Sequence, residues 1–303
     1  MNTQENISQE NISQENISQE NPETTETKKV HKIMDRPILS TILLYLFVTL
    51  VTAVFQLVKI PIWGVKDAGT GGQIFNIAYS FLTLAITELI YTKVWFKGEF
   101  EGTLKGDIGH GLRLMIPIVV VDLLIFAYDR FMGKGSLNSI LYVLAASIVA
   151  GIIEEITFRS LMLSNLMRIT NTYKGMMCAV TASSLVFGAA HFSNLIGGAN
   201  MGATITQFIG ATCMGFFFAA VYLTCGSIVP CMAMHFAHDV IALMFLGINE
   251  AGATIEGTTP ELIIQLIFLD IVPVVMTVIL LKPDRYEKIR RTWNEKWHIG
   301  QDM

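Results

Sequence analysis

The sequence predicts an all-α fold, a polytopic membrane helical bundle of about eight transmembrane helices. Three observations predict it. Hydrophobic residues make up 52% of the 303 and charged residues only 15%, whereas soluble domains carry roughly 25% charged residues. The apolar residues are gathered into eight long runs, most of which reach the roughly 17 to 25 residues that a bilayer core demands. The basic residues cluster at the flanks of those runs rather than inside them. A net charge of −4 argues against a nucleic-acid partner.

Residues 1–33 stand apart as a low-complexity polar tail. Gln-Glu-Asn-Ile-Ser occurs three times from Gln4 to Ser18, and Gln19-Glu20-Asn21 begins a fourth copy. Such a segment is too poor in apolar residues to fold, and it has no apolar stretch of the kind a cleavable signal peptide needs. The expected spans follow at about Ile38–Val58, Ile74–Phe96, Leu112–Phe131, Leu137–Phe158, Met176–His191, Thr204–Thr224, Ile228–Leu246 and Leu262–Leu281. The fifth is the weakest, being short and interrupted by Thr181, Ser183 and Ser184. By function the chain divides into N-terminal helices over 34–136, helices carrying the chemistry over 137–248, and a last helix with a basic tail over 249–303. The four cysteines form no CxxC pair and lie in apolar runs, so they are expected to be buried and reduced.

Basic residues set the orientation. Lys28, Lys29, Lys32 and Arg36 flank the first span, and Lys282, Arg285, Lys288, Arg290, Arg291 and Lys296 follow the last. Lys97, Lys105, Arg113, Arg159, Arg168 and Lys174 fall on the same side. The opposite side has only Lys59, Lys66, Arg130 and Lys134, and its last loop carries Glu250, Glu256 and Glu261. The expectation is a multi-pass protein of the cell membrane with both termini cytoplasmic.

Against this apolar background, Gly151-Ile152-Ile153-Glu154-Glu155-Ile156-Thr157-Phe158-Arg159 is anomalous. A charge at the centre of a membrane helix costs roughly 2.5 to 3.5 kcal/mol on insertion scales. Glu155 and Arg159 are four residues apart and can neutralise each other on one helix face, whereas Glu154 points about 100° away and has no partner within the motif. Two later spans also carry ionisable groups. Phe187 and His191 share a face of the fifth, and His235 and Asp239 share a face of the seventh. Intramembrane ionisable groups normally face one another, so Glu154, His191, His235 and Asp239 are expected to converge on one polar site. If the fourth helix continues to about Ile169, a turn near Asn171 makes an antiparallel pair that brings Glu154 and His191 to similar depth. His235 lies eight residues past Ser227, about 12 Å at helical rise. For it to reach that depth, the turn at Cys225–Ser227 must be sunk into the membrane. Glu88 and Lys93 are read as interface residues, and Asp122 and Asp270 as structural. The Gly197–Gly202 segment is read as a loop with no phosphate-binding context.

The three motifs together, Glu-Glu-x-x-x-Arg, Phe-x-x-x-His and His-x-x-x-Asp, resemble the CPBP intramembrane proteases, also called the Abi or CaaX-protease-like family. The resemblance covers about Ser147 to Phe245 and includes Ile228-Val229-Pro230 before the last motif. It implies that Glu154 activates a water with help from His191, that Glu155 and Arg159 hold the helix and its charge balance, and that His235 and Asp239 stabilise an oxyanion. The CaaX-processing members have asparagine where this chain has Asp239, and an ionised aspartate cannot donate to an oxyanion. That residue must be protonated, orient His235 or help bind a metal. Glu154, His191 and His235 form the donor set of a catalytic zinc site with an open position, yet no HExxH is present and the same residues equally make a metal-free mechanism. His238 is a spare ligand or a structural residue. The resemblance therefore implies an endopeptidase acting on a peptide or protein substrate at the lipid bilayer, with zinc as the cofactor if one is used. Two readings compete: a non-catalytic immunity or scaffold protein that binds a peptide in the same cavity, and a proton-coupled transporter, which the absence of an evident inverted repeat disfavours.

Overall fold

The computed structural model of the chain describes residues 36–63, 70–131, 140–196, 198–245 and 270–299. The N-terminal repeats, the Gly247–Glu261 loop and Lys66 and Lys134 lie outside the described residues. The chain forms two compact units, Met1–Ser40 and Thr41–Met303. Of the first unit, the described residues are Arg36 and the opening turn of the first helix.

Among the described residues every regular element is a helix: α1 (Pro37–Trp63), α2 (Thr70–Leu89) with a π-helical end (Ile90–Trp95), α3 (Ile108–Phe131), α4 (Ile140–Glu155), a π segment (Ile156–Leu163), α5 (Ser164–Ile169), α6 (Tyr173–Ala190) with a 3₁₀ end (His191–Leu195), α7 (Met201–Cys225), α8 (Val229–Phe245), α9 (Val272–Leu280), a 3₁₀ turn (Pro283–Arg285) and α10 (Tyr286–Lys296). Six of these stretches are long and apolar enough to cross a membrane, the last being Met201–Cys225, and Val229–Leu243 is a shorter apolar helix. The polytopic helical bundle is thus as expected; six full spans lie wholly among the described residues, and the expected seventh and eighth are only partly described. The seventh is shorter among the described residues, and the first part of the expected eighth, 262–269, lies outside them.

Two boundaries differ. The fourth span runs past Phe158 as one apolar stretch from Ile140 to Ile169, the continuation on which the pairing of Glu154 with His191 depended. The π segment and α5 bury Ser160, Ser164 and Asn165 completely inside protein, so polar residues there do not signal the water interface. The fifth span is not marginal; it covers Tyr173–Leu195. Its Ser183 Oγ donates to the Phe158 carbonyl at 2.8 Å and Ser184 Oγ to the Val180 carbonyl at 2.8 Å. Hydroxyls that interrupt the hydropathy pattern here have backbone partners, as polar groups in an apolar medium require.

α4 lies centrally, packed on α2 and α8, while α6 packs on α7, α8 on α3, and α9 on α7. Small residues set these approaches, the usual device of membrane helix interfaces. A Cβ on Gly151 of α4 would sit 3.1 Å from the Met232 carbonyl and 3.2 Å from the Phe236 nitrogen of α8. Outward faces stay apolar, with Leu46, Leu50, Leu57, Phe81 and Leu124 all exposed. In this setting they are the lipid-facing surface. The cysteine expectation holds for Cys225 and Cys231, which are buried, but Cys178 is exposed and Cys213 half-buried. An outward position on an apolar span suits a thiol nearly as well as a core position.

At one end of the bundle the chain closes over itself. The turn after α7 places Gly226 in the left-handed region (φ 74°), with its N–H bonded to the Tyr222 carbonyl. Residues Cys225 to Ile228 are buried because the Thr103–Asp107 loop covers them. Asp107 N–H donates to the Cys225 carbonyl and Ile228 N–H to that of Thr103, and Ser227 Oγ donates to that of Leu104. Glu88 anchors this loop by accepting from the Thr103 N–H and hydroxyl at 2.7 and 2.8 Å. The turn at Cys225–Ser227 is therefore buried under the protein's own loop. Helix α10 lies over the same end through four side chains that donate to backbone carbonyls. These pairs are Arg290 to Met167, Trp293 to Leu223, Lys296 to Lys105 and Trp297 to Ser164.

Candidate active site

Glu155 occupies the last position of α4, and its side chain has no solvent exposure. One of its oxygens, Oε1, accepts from Arg159 Nη1 at 3.0 Å and from His235 Nδ1 at 2.9 Å. The i, i+4 pair expected from the motif is present, and the contact to His235 was not expected. From the sequence Glu155 had one partner; in the fold it ties α4 to α8. Arg159 is likewise fully buried, with its guanidinium 4.2 Å from the centroid of the Phe187 ring and 5.3 Å from that of Phe218. Aromatic faces of this kind stabilise a desolvated cation, which explains how a charged residue persists at that depth.

The π segment that begins at Ile156 is the second local feature. Its last turn is closed by the Ser164 N–H bonded to the Arg159 carbonyl, five residues back. Such wide turns release carbonyls from the α-helical ladder and often lie at functional sites. Here the Phe158 carbonyl is taken up by Ser183, as noted above, and Ser160 Oγ donates to Thr103 Oγ1 at 3.2 Å.

The polar residues of three helices come together around His235. With Nδ1 held by Glu155, its Nε2 lies 3.7 Å from Glu154 Oε2 and 3.6 Å from Asp239 Oδ2. Phe218 stacks on the His235 ring at 5.5 Å, and Phe187 meets it edge-on at 5.9 Å. Phe187 also contacts the His191 ring at 5.4 Å, so one aromatic side chain lies against both histidines. His191 is the C-cap of α6, with Nδ1 3.2 Å from the Phe187 carbonyl, which leaves Nε2 as its remaining ring nitrogen. Glu154 interacts electrostatically with His235, His191 and Asp239. About a third of its side chain is exposed (33%), against 22% for Asp239 and none for Glu155. The neighbouring carboxylates are thus differentiated: Glu155 is sealed in and paired through Oε1, and Glu154 is part-exposed, with its Oε2 buried beside His235 and without a hydrogen-bond partner.

Glu154, Glu155, Arg159, His235 and Asp239 are therefore joined by direct contacts, and His191 reaches the group through Phe187. Sequence reasoning missed Phe218, for which an apolar run of α7 gives no signal. It also missed that Asp122 and His238, each noted separately, are partners. His238 Nδ1 lies 3.1 and 3.2 Å from the two Asp122 oxygens. A zinc ion would need three converging donors. Among the described residues, no group of three His, Cys, Asp or Glu side chains is arranged to hold a metal ion. The set Glu154, His191 and His235 as placed does not fit one.

Residues 136–241 match the family model described as type II CAAX prenyl endopeptidase Rce1-like. This segment is similar to that family. No curated protein and no solved structure matches the chain. The matched segment begins just ahead of α4 and ends within α8. It contains every residue named above except Asp122 and the covering elements: α2 with its loop, and α10. The family described is one of CAAX prenyl endopeptidases, and the matched helices lie in a multi-pass membrane protein.

Proposed function

We propose that this protein hydrolyses peptide bonds at the membrane by a glutamate-activated water. The observation that carries this reading is the division of labour between adjacent carboxylates. Glu155 is fully buried and its Oε1 takes both Arg159 and His235, which fixes the His235 ring, while Glu154 is part-exposed and turns a buried Oε2 without a hydrogen-bond partner toward the same imidazole. Glu154 is placed to take a proton from a water whose oxygen attacks the peptide carbonyl. His191, with its Nδ1–H given to the Phe187 carbonyl, has an Nε2 lone pair free to hold the second proton of that water. When His235 is protonated on both nitrogens, its Nδ1–H stays with Glu155 and its Nε2–H meets the oxyanion. Collapse of the tetrahedral intermediate then breaks the C–N bond, and Glu154 returns its proton to the leaving amine. Asp239, 3.6 Å from Nε2, favours the doubly protonated His235 by its charge and leaves the Nε2–H to the oxyanion, so it needs no proton of its own. The family description supports a prenylated CAAX-terminated peptide as the substrate class. The test is cleavage of a farnesylated CAAX peptide by the purified protein in liposomes. Wild type should cleave it and Glu154→Gln should not; binding without cleavage by wild type would replace the enzyme by a scaffold.

A further inference from the structure

Asp122 lies in α3, a membrane-spanning helix outside the segment that matches the family. Its side chain is only 3% exposed, in an environment where an isolated carboxylate is costly. Both of its oxygens face one nitrogen, Nδ1 of His238, at 3.1 and 3.2 Å. A His ring held through Nδ1 in this way has its orientation fixed, with Nε2 turned away from the carboxylate. His238 is three residues after His235 and immediately before Asp239. At about 100° per residue it lies on the face of α8 next to the one that carries His235. It also interacts electrostatically with both Asp239 and His235.

The other side of α8 is already fixed. Gly151 of α4 leaves no slack against the Met232 carbonyl and the Phe236 nitrogen, as described above, so α8 cannot slide toward α4. Rotation of α8 about its axis is the motion that would carry His235 and Asp239 away from Glu154, and on the α4 side the 2.9 Å Glu155–His235 bond opposes it. A bond between α8 and α3 on the flank opposes it as well.

We propose that Asp122 and His238 are a positioning pair for the catalytic centre, in which Asp122 holds the His238 ring and thereby the rotation of the helix bearing His235 and Asp239. The proposal rests on the peptidase reading given above, and its test separates the two. Replacing both partners of a buried polar pair with apolar groups is often close to neutral for stability. Asp122→Leu/His238→Leu should therefore fold and melt close to wild type. A merely structural pair would leave the kinetics unchanged. A positioning pair predicts a fall in kcat of about 10- to 100-fold at unchanged KM, as misplacement of reacting groups by about an ångström does. Asp122→Asn keeps an acceptor for the Nδ1–H and should stay within about threefold of wild type, since the hydrogen bond that orients the ring survives. Activity is read on a farnesylated CAAX peptide, alongside Glu154→Gln. A second readout does not depend on catalysis: in protein labelled with ¹⁵N-histidine, the His235 ring signals should shift in the double Leu variant and not in Asp122→Asn. An unchanged His235 spectrum in the double variant overturns the positioning role whether or not the peptide is cleaved. So does a wild-type kcat with the spectrum shifted. An active Glu154→Gln protein would sink the peptidase mechanism instead, leaving the spectroscopic result to stand alone.

Discussion

Glu154 and Glu155 are chemically identical neighbours whose substitutions should fail in opposite ways. Glu154→Gln keeps size and hydrogen bonding but removes the base, so cleavage should fall by roughly 10² to 10⁴ with melting temperature unchanged. Glu155→Gln removes the charge that faces Arg159 and His235 in a fully buried site. Breaking a buried ion pair from one side typically costs about 3 to 5 kcal/mol, so this variant should be recovered poorly or melt well below wild type. A stable, inactive Glu155→Gln protein would reverse the assignment. Asp239 distinguishes the metal from the metal-free chemistry. Asp239 lies 3.6 Å from His235 Nε2 without a hydrogen bond, so in the metal-free reading asparagine, a neutral donor at the same place, should retain activity that chelators do not touch. Loss of activity in that variant with partial recovery on adding zinc would bring back the metal. The sequence displayed Glu155 and Arg159 as a pair because i, i+4 spacing is local. It could not display His235 as the third member, because that contact joins residues 80 positions apart and follows from how α8 packs on α4.

Two elements that no motif announces hold this geometry, the π segment after Glu155 and the terminal helix α10. Hydropathy made the helices legible, since apolar runs of bilayer length admit few other structures. Beyond Phe158 the fourth span carries Ser160, Ser164 and Asn165, which lower its hydropathy yet are buried against the loop, α10 and α1. One consequence is testable in pH. Lys296 is 4% exposed, and its burial beneath the loop, partly offset by Glu101 and Glu88, pushes its pKa down from 10.5 to about 8. Between about pH 8 and 10.5 the unfolded chain therefore binds more protons at this site than the folded one, and stability rises with pH through that window. Below about pH 8 both states carry the charge, and the folded state bears the full penalty of burying it. Melting temperature should rise from pH 8 toward 10 in wild type and lose that slope in Lys296→Met. A second consequence concerns the α6–α7 crossing, where a Cβ on Gly188 would come 2.7 Å from the Phe208 carbonyl. Because that atom is backbone, Gly188→Ala forces the helices apart, and overpacking of this kind typically costs about 1 to 3 kcal/mol. A melting temperature equal to wild type would show that α7 yields without strain.

For the whole molecule, the basic residues gathered at the covered end predict which way the bundle faces. α10, the 97–107 loop, the turn after α7 and the α5–α6 turn meet there through the Arg290, Trp293, Lys296 and Trp297 bonds. Arg290 also donates to Asn171 Oδ1 in the α5–α6 turn. The contacts place Lys97, Lys105, Arg168, Lys174, Lys282, Arg285, Lys288, Arg290, Arg291 and Lys296 at or beside one end of the bundle. A concentration of Lys and Arg in short segments is retained on the cytoplasmic side, so this end should face the cytoplasm. Ser164 and Ile228 belong to that end, and Glu154 and His235 lie ten and seven residues inward of them. At helical rise the site is then about 10 to 15 Å from the cytoplasmic end, shallow enough for a peptide entering from the cytoplasm. Two measurements follow. Single cysteines at Arg285 or Lys288 should react with a membrane-impermeant maleimide only after the cytoplasmic face is opened. Cysteines in Gly247–Glu261 should react from outside in intact cells. Labelling of position 288 from outside would invert the orientation and place the site's entrance on the opposite face.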